Sequence, residues 1–467
     1  MKSDELASII EKASELLTPS PEEKRNALEV LNQAVLLLKE AAIKLEFDVS
    51  IVPVGSITRD TWLPGKTDLD IFILFKKSFP EEKLGESVIS IVEEAFGKYT
   101  LRYSAHPYAR VKLSGFEIDV VPAYDVENAL ELRTPVDRSP LHAKFLEERM
   151  TPSLARDVRL LKAFVKAMGA YGAEVKVEGF SGYLCELLVL YYGSFLDVIR
   201  AAKDWKEPVV IDMAKMVSST EEATRLFPNP LIVIDPVDPR RNVASALSRT
   251  QFYRFKAAAK AFLKSPSEKF FLEREVRQPD EEYVLSLVEK RGTYLAALLF
   301  DGLSEAPDTL WTQAKSGARK LHKLLKNNGF PVIHADGFTN ESSSVLILIE
   351  TPSRLISPIE VREGPEVGRP GESEFIKKHL GAENTISGPF ICENRWFVLK
   401  RRKNNDVKSF IKGIIRTGHG LPKKLFSAKT KEVFECREIS KIPDWALKFI
   451  YEWLQRKEPF LRELADP

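Results

Sequence analysis

Cysteine is scarce. The 467 residues hold three, Cys185, Cys392 and Cys436, widely separated and without a CxxC pair. That excludes a disulfide framework and a cysteine zinc knuckle, and it fits a reducing cytosol. Long apolar runs are missing as well. The nearest candidates, such as LLVLYYGSFL after Glu186, reach about half of the 18 or more residues that a membrane-spanning helix needs, so no membrane insertion is expected. The opening MKSDELASIIEKASELL carries acids inside its apolar pattern and lacks a basic n-region, a continuous h-region and a small-residue cleavage site. It reads as an amphipathic helix rather than a leader. Charge of one sign is also missing: 69 basic and 67 acidic residues leave a net +2, which taken alone argues against a polyanionic partner.

That average conceals a split. Residues 1–150 hold 19 basic and 26 acidic side chains, a net −7, and the remainder holds 50 and 41, a net +9. Such asymmetry asks for a division of labour. Hydrophobic residues make up 44% and charged residues 29%, the balance of a globular chain with real cores, and the length corresponds to about three domains.

Helical periodicity dominates at first, with Leu28, Leu31, Val35 and Leu38 on one face and Pro21, Glu22 and Glu23 suiting a first turn. The period then changes. VSIVPVGS, DLDIFILF and FEIDVVPAY are short, rich in Val, Ile and Phe, and bounded by Pro and Gly, so they read as strands, with Ser114 and Gly115 turning a hairpin from ARVKL into FEIDVV. From about Thr151 the helical period returns through Leu154, Val158, Leu161 and Val165, with Gly169 as a C-cap, and continues through GYLCELLVLYYGSFLDVIR and a helix around 252–263. KSPSEKFFLE reads as a boundary. Beyond it come strands (TYLAALLF, SSVLILIE, RWFVLKRR), a basic helix, QAKSGARKLHKLLKN, and a Gly- and Pro-rich loop, REGPEVGRPGES.

In DLDIFILF, alternation points Asp68 and Asp70 the same way, about 7 Å apart along the strand. Such a pair can share two divalent cations if a third carboxylate closes the site, and Asp119 in EIDVVP is the natural third. Without metal, the three would raise one another's pKa values. Two Mg²⁺ ions would reverse that repulsion, lower the pKa of an attacking hydroxyl and stabilise a departing pyrophosphate. Just upstream, Gly55 and Ser56 end a strand where a helical turn begins, a place for phosphate to approach free N–H groups, and Arg59 adds a guanidinium one turn on. Gly-Ser, a short gap, D-h-D-h on a strand and a later h-D-h-h form the signature of the nucleotidyltransferase superfamily that includes DNA polymerase beta.

Over nearly its whole length the chain resembles the archaeal (class I) CCA-adding enzymes. The matching blocks are GSITRDTWLPGKTDLDIF, RYSAHPYARVKLSGFEIDVVPAY, VDRSPLHAKFL, VRLLKAFVKAMGAYGAEVKVEGFSGYLCELL, VIDPVDPRRNVASALS and SGPFICENRWFVLKRR, in that order. The resemblance implies an α+β multidomain fold: a polymerase beta-like head of mixed sheet and helices over 1–150, a mainly helical neck that frames the nucleotide over 151–265, and an α+β RNA-binding body over 266–467 with a tail inserted at about 305–390. It implies that Asp68, Asp70 and Asp119 are the catalytic, metal-binding carboxylates, Asp68 standing where Glu is frequent. Ser56, Arg59, His142, Lys162 and Tyr171 match nucleotide-binding positions, and Arg241 matches the arginine that, with the RNA backbone, frames the incoming base. His106 in AHPYARV is a weaker candidate, a satisfied structural histidine being the commoner outcome.

The implied reaction adds CMP and AMP from CTP and ATP to a tRNA 3′ end without a nucleic-acid template. The implied enzyme is a cytoplasmic homodimer that clamps the acceptor stem and the TψC arm. The sequence supplies cations for such a partner. Lys400 to Lys431 holds eleven basic residues against one acid, Asp406, and Lys315, Arg319, Lys320, Lys323 and Lys326 mark a second basic face. A poly(A) polymerase and a non-catalytic RNA-binding protein remain rival readings. An aminoglycoside-type nucleotidyltransferase leaves the basic C-terminal half unexplained.

Overall fold

The amphipathic opening is a helix, α1 (Lys2–Leu16), and the Leu28–Leu38 periodicity is a second, α2 (Pro21–Lys44). Ser20 starts α2 with a capping box: its Oγ accepts from Glu23 N at 3.1 Å, the Glu23 carboxylate accepts from Ser20 N at 2.8 Å, and Pro21 occupies the first turn. The computed structural model describes residues 2–103, 106–273 and 279–464. It falls into two units, Met1–Glu275 with Lys457–Pro467, and Val276–Arg456.

In the first unit, β1 (Val49–Val54), β2 (Asp68–Phe75), β3 (Thr100–Tyr103), β4 (Pro107–Leu113) and β5 (Phe116–Tyr124) form one sheet in the order β1-β2-β5-β4-β3, with α3 (Leu84–Phe96) between β2 and β3. Every pairing is antiparallel except β2 with β5. The β4–β5 hairpin turns through Ser114 and Gly115, both at positive φ (48° and 84°), as a two-residue hairpin of the expected kind requires. Helices α2 and α3 bury one face through Leu31, Leu38, Val88 and Ile91 against Ile71, Ile73, Ile118 and Val120. The alternation expected along DLDIFILF holds only at its start. Phe72 and Leu74, on the same face as the two aspartates, are buried with Val54 and Ala123 beneath Ala143 of α4 (Arg138–Glu147). A central strand covered on both sides keeps polar residues only where its cover ends.

Next come α5 (Pro152–Ala167), α6 (Gly182–Tyr192), α7 (Phe195–Ala202), β6 (Val209–Ile211), α8 (Thr220–Leu226), β7 (Leu231–Asp235), β8 (Asp238–Asn242) and α9 (Arg249–Lys264). The stretch expected to run on as helix is two helices bent by 91°, because Gly193 leaves α6 at φ +93° and Ser194 caps α7 by accepting from Asp197 N. No single helix among the described residues is long and apolar enough to cross a membrane. The core here is aromatic: Phe164 meets Phe195, Phe255, Phe262, Phe270 and Phe271 at centroid distances of 5.7–6.1 Å. Phe270 and Phe271 come from the stretch that reads as a boundary. Arg254 binds Glu458 through two bonds of 2.6 and 3.1 Å, and Phe460 is buried in the same core.

The second unit contains α10 (Glu281–Arg291), β9 (Tyr294–Asp301), α11 (Pro307–Asn327), β10 (His334–Thr339), β11 (Val345–Thr351), β12 (Ile359–Glu366), α12 (Glu372–His379), β13 (Thr385–Cys392), β14 (Arg395–Arg401), α13 (Val407–Thr417), α14 (Lys423–Phe426), β15 (Thr430–Glu435) and α15 (Asp444–Gln455). A four-stranded antiparallel sheet, β10-β11-β9-β15, carries α11, α13 and α14 on one face and α10 and α15 on the other. A three-stranded sheet, β12-β14-β13, stands apart. The segment REGPEVGRPGES, expected as a loop, instead gives its first five residues to β12. This is an edge strand whose register slips between Glu363 and Glu366, which is where a sheet tolerates Pro365.

One buried carboxylate ties the larger sheet of this unit together. Glu350, 1% exposed, accepts from Arg291 Nε at 2.7 Å, Thr293 Oγ1 at 2.8 Å and Arg456 Nη2 at 3.1 Å. Burial pushes its pKa up, but these partners outweigh burial and hold it below the ordinary carboxylate value. A depressed pKa contributes stability that is present above the unfolded value of about 4.3 and is lost as pH falls through the folded one. Glu350→Gln is therefore expected to cost about 3 kcal/mol at neutral pH and to flatten the acid limb of the denaturant-midpoint curve; an unchanged acid limb would contradict the assignment.

Candidate active site

Parallel pairing of β2 with β5 sets Asp70 directly opposite Asp119 and Asp68 opposite Glu117, on strands about 4.8 Å apart. The loop after β1 closes over them. Gly55 has φ +97°, and a Cβ there would stand 2.7 Å from Asp70 Oδ2, so only glycine fits. The segment after Gly55 is a run of turns rather than a helix: Thr58 Oγ1 donates to Gly55 O at 3.0 Å and Thr61 N to Ser56 O at 2.9 Å. Lys66 Nζ donates to Ser56 Oγ at 3.2 Å.

Asp70 has a raised pKa, first because it is buried and then because Asp119 and Asp68 are near, with Lys66 and Arg110 opposing. Asp119 is neutralised: Arg110 grips it with Nε at 2.6 Å and Nη2 at 2.7 Å while reaching Glu117 with Nη1 at 3.1 Å. Among the described residues no group of three or more His, Cys, Asp or Glu side chains is arranged to hold a metal ion, and Arg110 holds both Asp119 oxygens. The chemistry of this donor set still fits a hard, oxygen-preferring divalent cation. Asp68 and Asp70 lack a full counter-charge, and Mg²⁺ is bound by one or two carboxylates together with substrate phosphates.

Beside the carboxylates lies a second, buried cluster. Glu186 of α6, 2% exposed, accepts from Thr61 Oγ1 at 2.5 Å, Arg59 Nη2 at 3.1 Å and Lys162 Nζ at 3.4 Å. Lys162 Nζ also donates to Thr61 O at 2.9 Å. Burial opposes both charges. It lowers the pKa of Lys162, which shares one carboxylate with Arg59, whereas Glu186, facing two cations, stays below its ordinary value despite burial. Two cations for one carboxylate leave a surplus positive charge, and Arg59 Nε and Nη1 are buried without a hydrogen-bond partner. Tyr171 closes this cluster. At Gly182 a Cβ would lie 3.1 Å from its Oη and 3.6 Å from Lys162 Cε, and burial drives the phenol pKa up.

The third cluster centres on Asp235, at the end of β7. Its Oδ2 accepts from His142 Nε2 of α4 at 2.8 Å and from Arg241 Nη1 of β8 at 2.7 Å. The His142 ring stacks on Tyr183 at 4.1 Å, and burial lowers its pKa against the pull of Asp235. His106, next to β4, has Nε2 buried without a partner and joins none of the three clusters through any hydrogen bond among the described residues.

The structure thus brings Asp68, Asp70, Asp119, Ser56, Arg59, Lys162 and Tyr171 into one neighbourhood and places His142 with Arg241 around Asp235. Sequence reasoning missed the residues that hold these together: Arg110, Thr61, Glu186 and Asp235. The signal was present for two of them, a lone acid inside the apolar helix GYLCELLVLYY and an acid closing the apolar strand LIVID, positions where a buried carboxylate needs a partner. Because the Asp70 charge is disfavoured in the metal-free protein, Asp70→Asn is expected to raise the melting temperature in a chelator by about 2–4 °C. The same substitution should remove the rise that Mg²⁺ gives the unsubstituted chain. A fall in the chelated melting temperature would contradict this account.

Three family models match consecutive blocks of the chain: a nucleotidyltransferase domain over 36–150, the second domain of tRNA nucleotidyltransferases over 156–272, and the C-terminal domain of CCA-adding enzymes over 291–436. The CCA-adding enzyme of Pyrobaculum neutrophilum is 37% identical over 418 residues, 89% of this chain and 95% of that protein. That of Archaeoglobus fulgidus is 35% identical over 427 residues, 91% and 93% of the two chains, and that of Saccharolobus shibatae is 34% identical over 406 residues, 86% and 91%. With the carboxylates on a nucleotidyltransferase sheet and relatives matched almost from end to end, the chain belongs to the CCA-adding enzyme family of tRNA nucleotidyltransferases.

Proposed function

We propose that this protein builds or repairs the 3′-terminal CCA of tRNA from CTP and ATP without a nucleic-acid template. The primer 3′-hydroxyl attacks the nucleotide α-phosphate, the bond to the β-phosphate breaks, and pyrophosphate leaves. The observation that carries this reading is the surplus cation buried around Glu186, beside three aspartates, at a point where a triphosphate supplies the missing negative charge. Asp68, Asp70 and Asp119 are the residues that would hold two Mg²⁺ ions, whose chemistry is to lower the pKa of the hydroxyl and to neutralise the phosphates. Lys162, Arg59 and Tyr171 bind the triphosphate, with Ser56 and Lys66 donating from the Gly55 turn. Arg241 frames the base, and His142 supports the nucleotide from α4. In this reading residues 1–150 are the catalytic head, 151–265 the neck, and 266–467 the RNA-binding body with a tail at about 305–390.

The second unit carries the surface for the polyanion. Helix α11 exposes Arg319, Lys320, Lys323 and Lys326, and α13, α14 and the turns flanking α14 expose Lys412, Arg416, Lys423 and Lys429. These helices cover the same face of the sheet, and Phe330, just after α11, and Phe410 of α13 have ring centroids 5.3 Å apart. A cationic face suits the backbone of an A-form acceptor stem and TψC arm, with binding that weakens as salt rises. The enzyme works in the cytoplasm, as a homodimer.

The test is primer extension on tRNA ending at the discriminator base, with Mg²⁺, CTP and ATP. Addition of C, C and A, and then arrest, is expected. Long A-tails, or transfer that is indifferent to tRNA, would overturn the proposal.

A further inference from the structure

The turn between β7 and β8 holds two buried aspartates three residues apart, Asp235 and Asp238, each with a side chain that is 0% exposed. Each bridges the same pair of elements. Asp238 accepts from Arg138 Nε of α4 at 2.8 Å and from Arg240 Nε of β8 at 3.0 Å. Asp235 accepts from His142 Nε2, one turn further along α4, and from Arg241 Nη1, the next residue of β8. The two sites form a double clamp, repeated at one-turn spacing on the helix and one-residue spacing on the strand. Their arginines differ in freedom. Arg240, 65% exposed, also donates Nη2 to Ala129 O at 3.0 Å, whereas Arg241, 37% exposed, gives Asp235 one of its five N–H donors.

We propose that Asp235 is a positioning residue for base selection: it fixes one edge of the Arg241 guanidinium so that the opposite edge is presented to the incoming base in a single orientation. The inference rests on the reading of Arg241 as the base-framing residue. A guanidinium selects between bases only if its donors do not follow whichever base arrives, because discrimination comes from the donors that the wrong base leaves unpaired. Asp235 supplies that rigidity. Its second oxygen is held by Val237 N at 3.1 Å and faces Tyr183 Oη at 3.5 Å, so the carboxylate is itself fixed. The first oxygen, Oδ2, joins the base-framing Arg241 to the nucleotide-supporting His142. Asp238, with its arginine tied back to the main chain, is the mechanical half of the clamp.

The experiment measures incorporation of CTP against UTP on tRNA lacking CCA, for Asp235→Asn, Asp238→Asn, Arg241→Gln and the Asp235→Asn/Arg241→Gln double variant, with melting temperatures alongside. Asp235→Asn should lower discrimination by on the order of tenfold, and the double variant should match Arg241→Gln alone. Asp238→Asn should lose stability and keep its discrimination. If Asp235→Asn does not fold, Asp235→Glu, which keeps the charge but shifts the carboxylate by one methylene, should show the same loss. Full discrimination in the Asp235 variants while Arg241→Gln loses it would overturn the proposal. Full discrimination in Arg241→Gln would overturn the base-framing reading and the proposal with it.

Discussion

The first unit of this molecule depends on one carboxylate whose side chain is only 2% exposed. Glu186 is set in an apolar helix and must be compensated, and its compensation comes from elsewhere in the chain: Thr61 and Arg59 from the turns after β1, and Lys162 from α5. An isolated buried charge costs several kcal/mol, and apolar residues of similar size often stabilise a core better than an ion pair does. What the arrangement provides is a fixed mutual position for Arg59, Lys162 and the turns after β1. It also leaves positive charge unspent, which a rigid, water-poor site holds ready for an anion.

The same logic recurs at the aspartates. Asp70 sits where burial and two neighbouring carboxylates disfavour its charge, while Arg110 holds both Asp119 oxygens in place. One neighbourhood is thus short of cations and the next short of anions. The two deficits are opposite in sign. The near-zero net charge of the chain says nothing of this, because the imbalance is local.

Much of the scaffold was legible because it is built from short-range rules. The helix start at Pro21–Glu23, the Ser114–Gly115 hairpin and the strand DLDIFILF follow from residue type and spacing. The carboxylates were legible for the same reason, since i, i+2 spacing on a strand decides which way side chains point. What the sequence did not disclose is contact between distant segments. Nothing local to Arg110 says that it will grip Asp119 from the neighbouring strand, and nothing local to Glu186 names Arg59, 127 residues away. The bend at Gly193 was missed because the apolar pattern runs straight through it, and β12 was missed because Pro365 reads as loop unless the strand is known to lie at an edge.

The central claim is that the buried surplus of positive charge is the triphosphate site. It is tested most directly by comparing how far Mg²⁺-CTP and cytidine shift the melting temperature of the unsubstituted chain and of Lys162→Met, which fills the same space without the charge. The account predicts that CTP stabilises the unsubstituted chain by several degrees more than cytidine does, and that Lys162→Met removes this difference. A Lys162→Met protein still stabilised by CTP as strongly as the unsubstituted chain would contradict it.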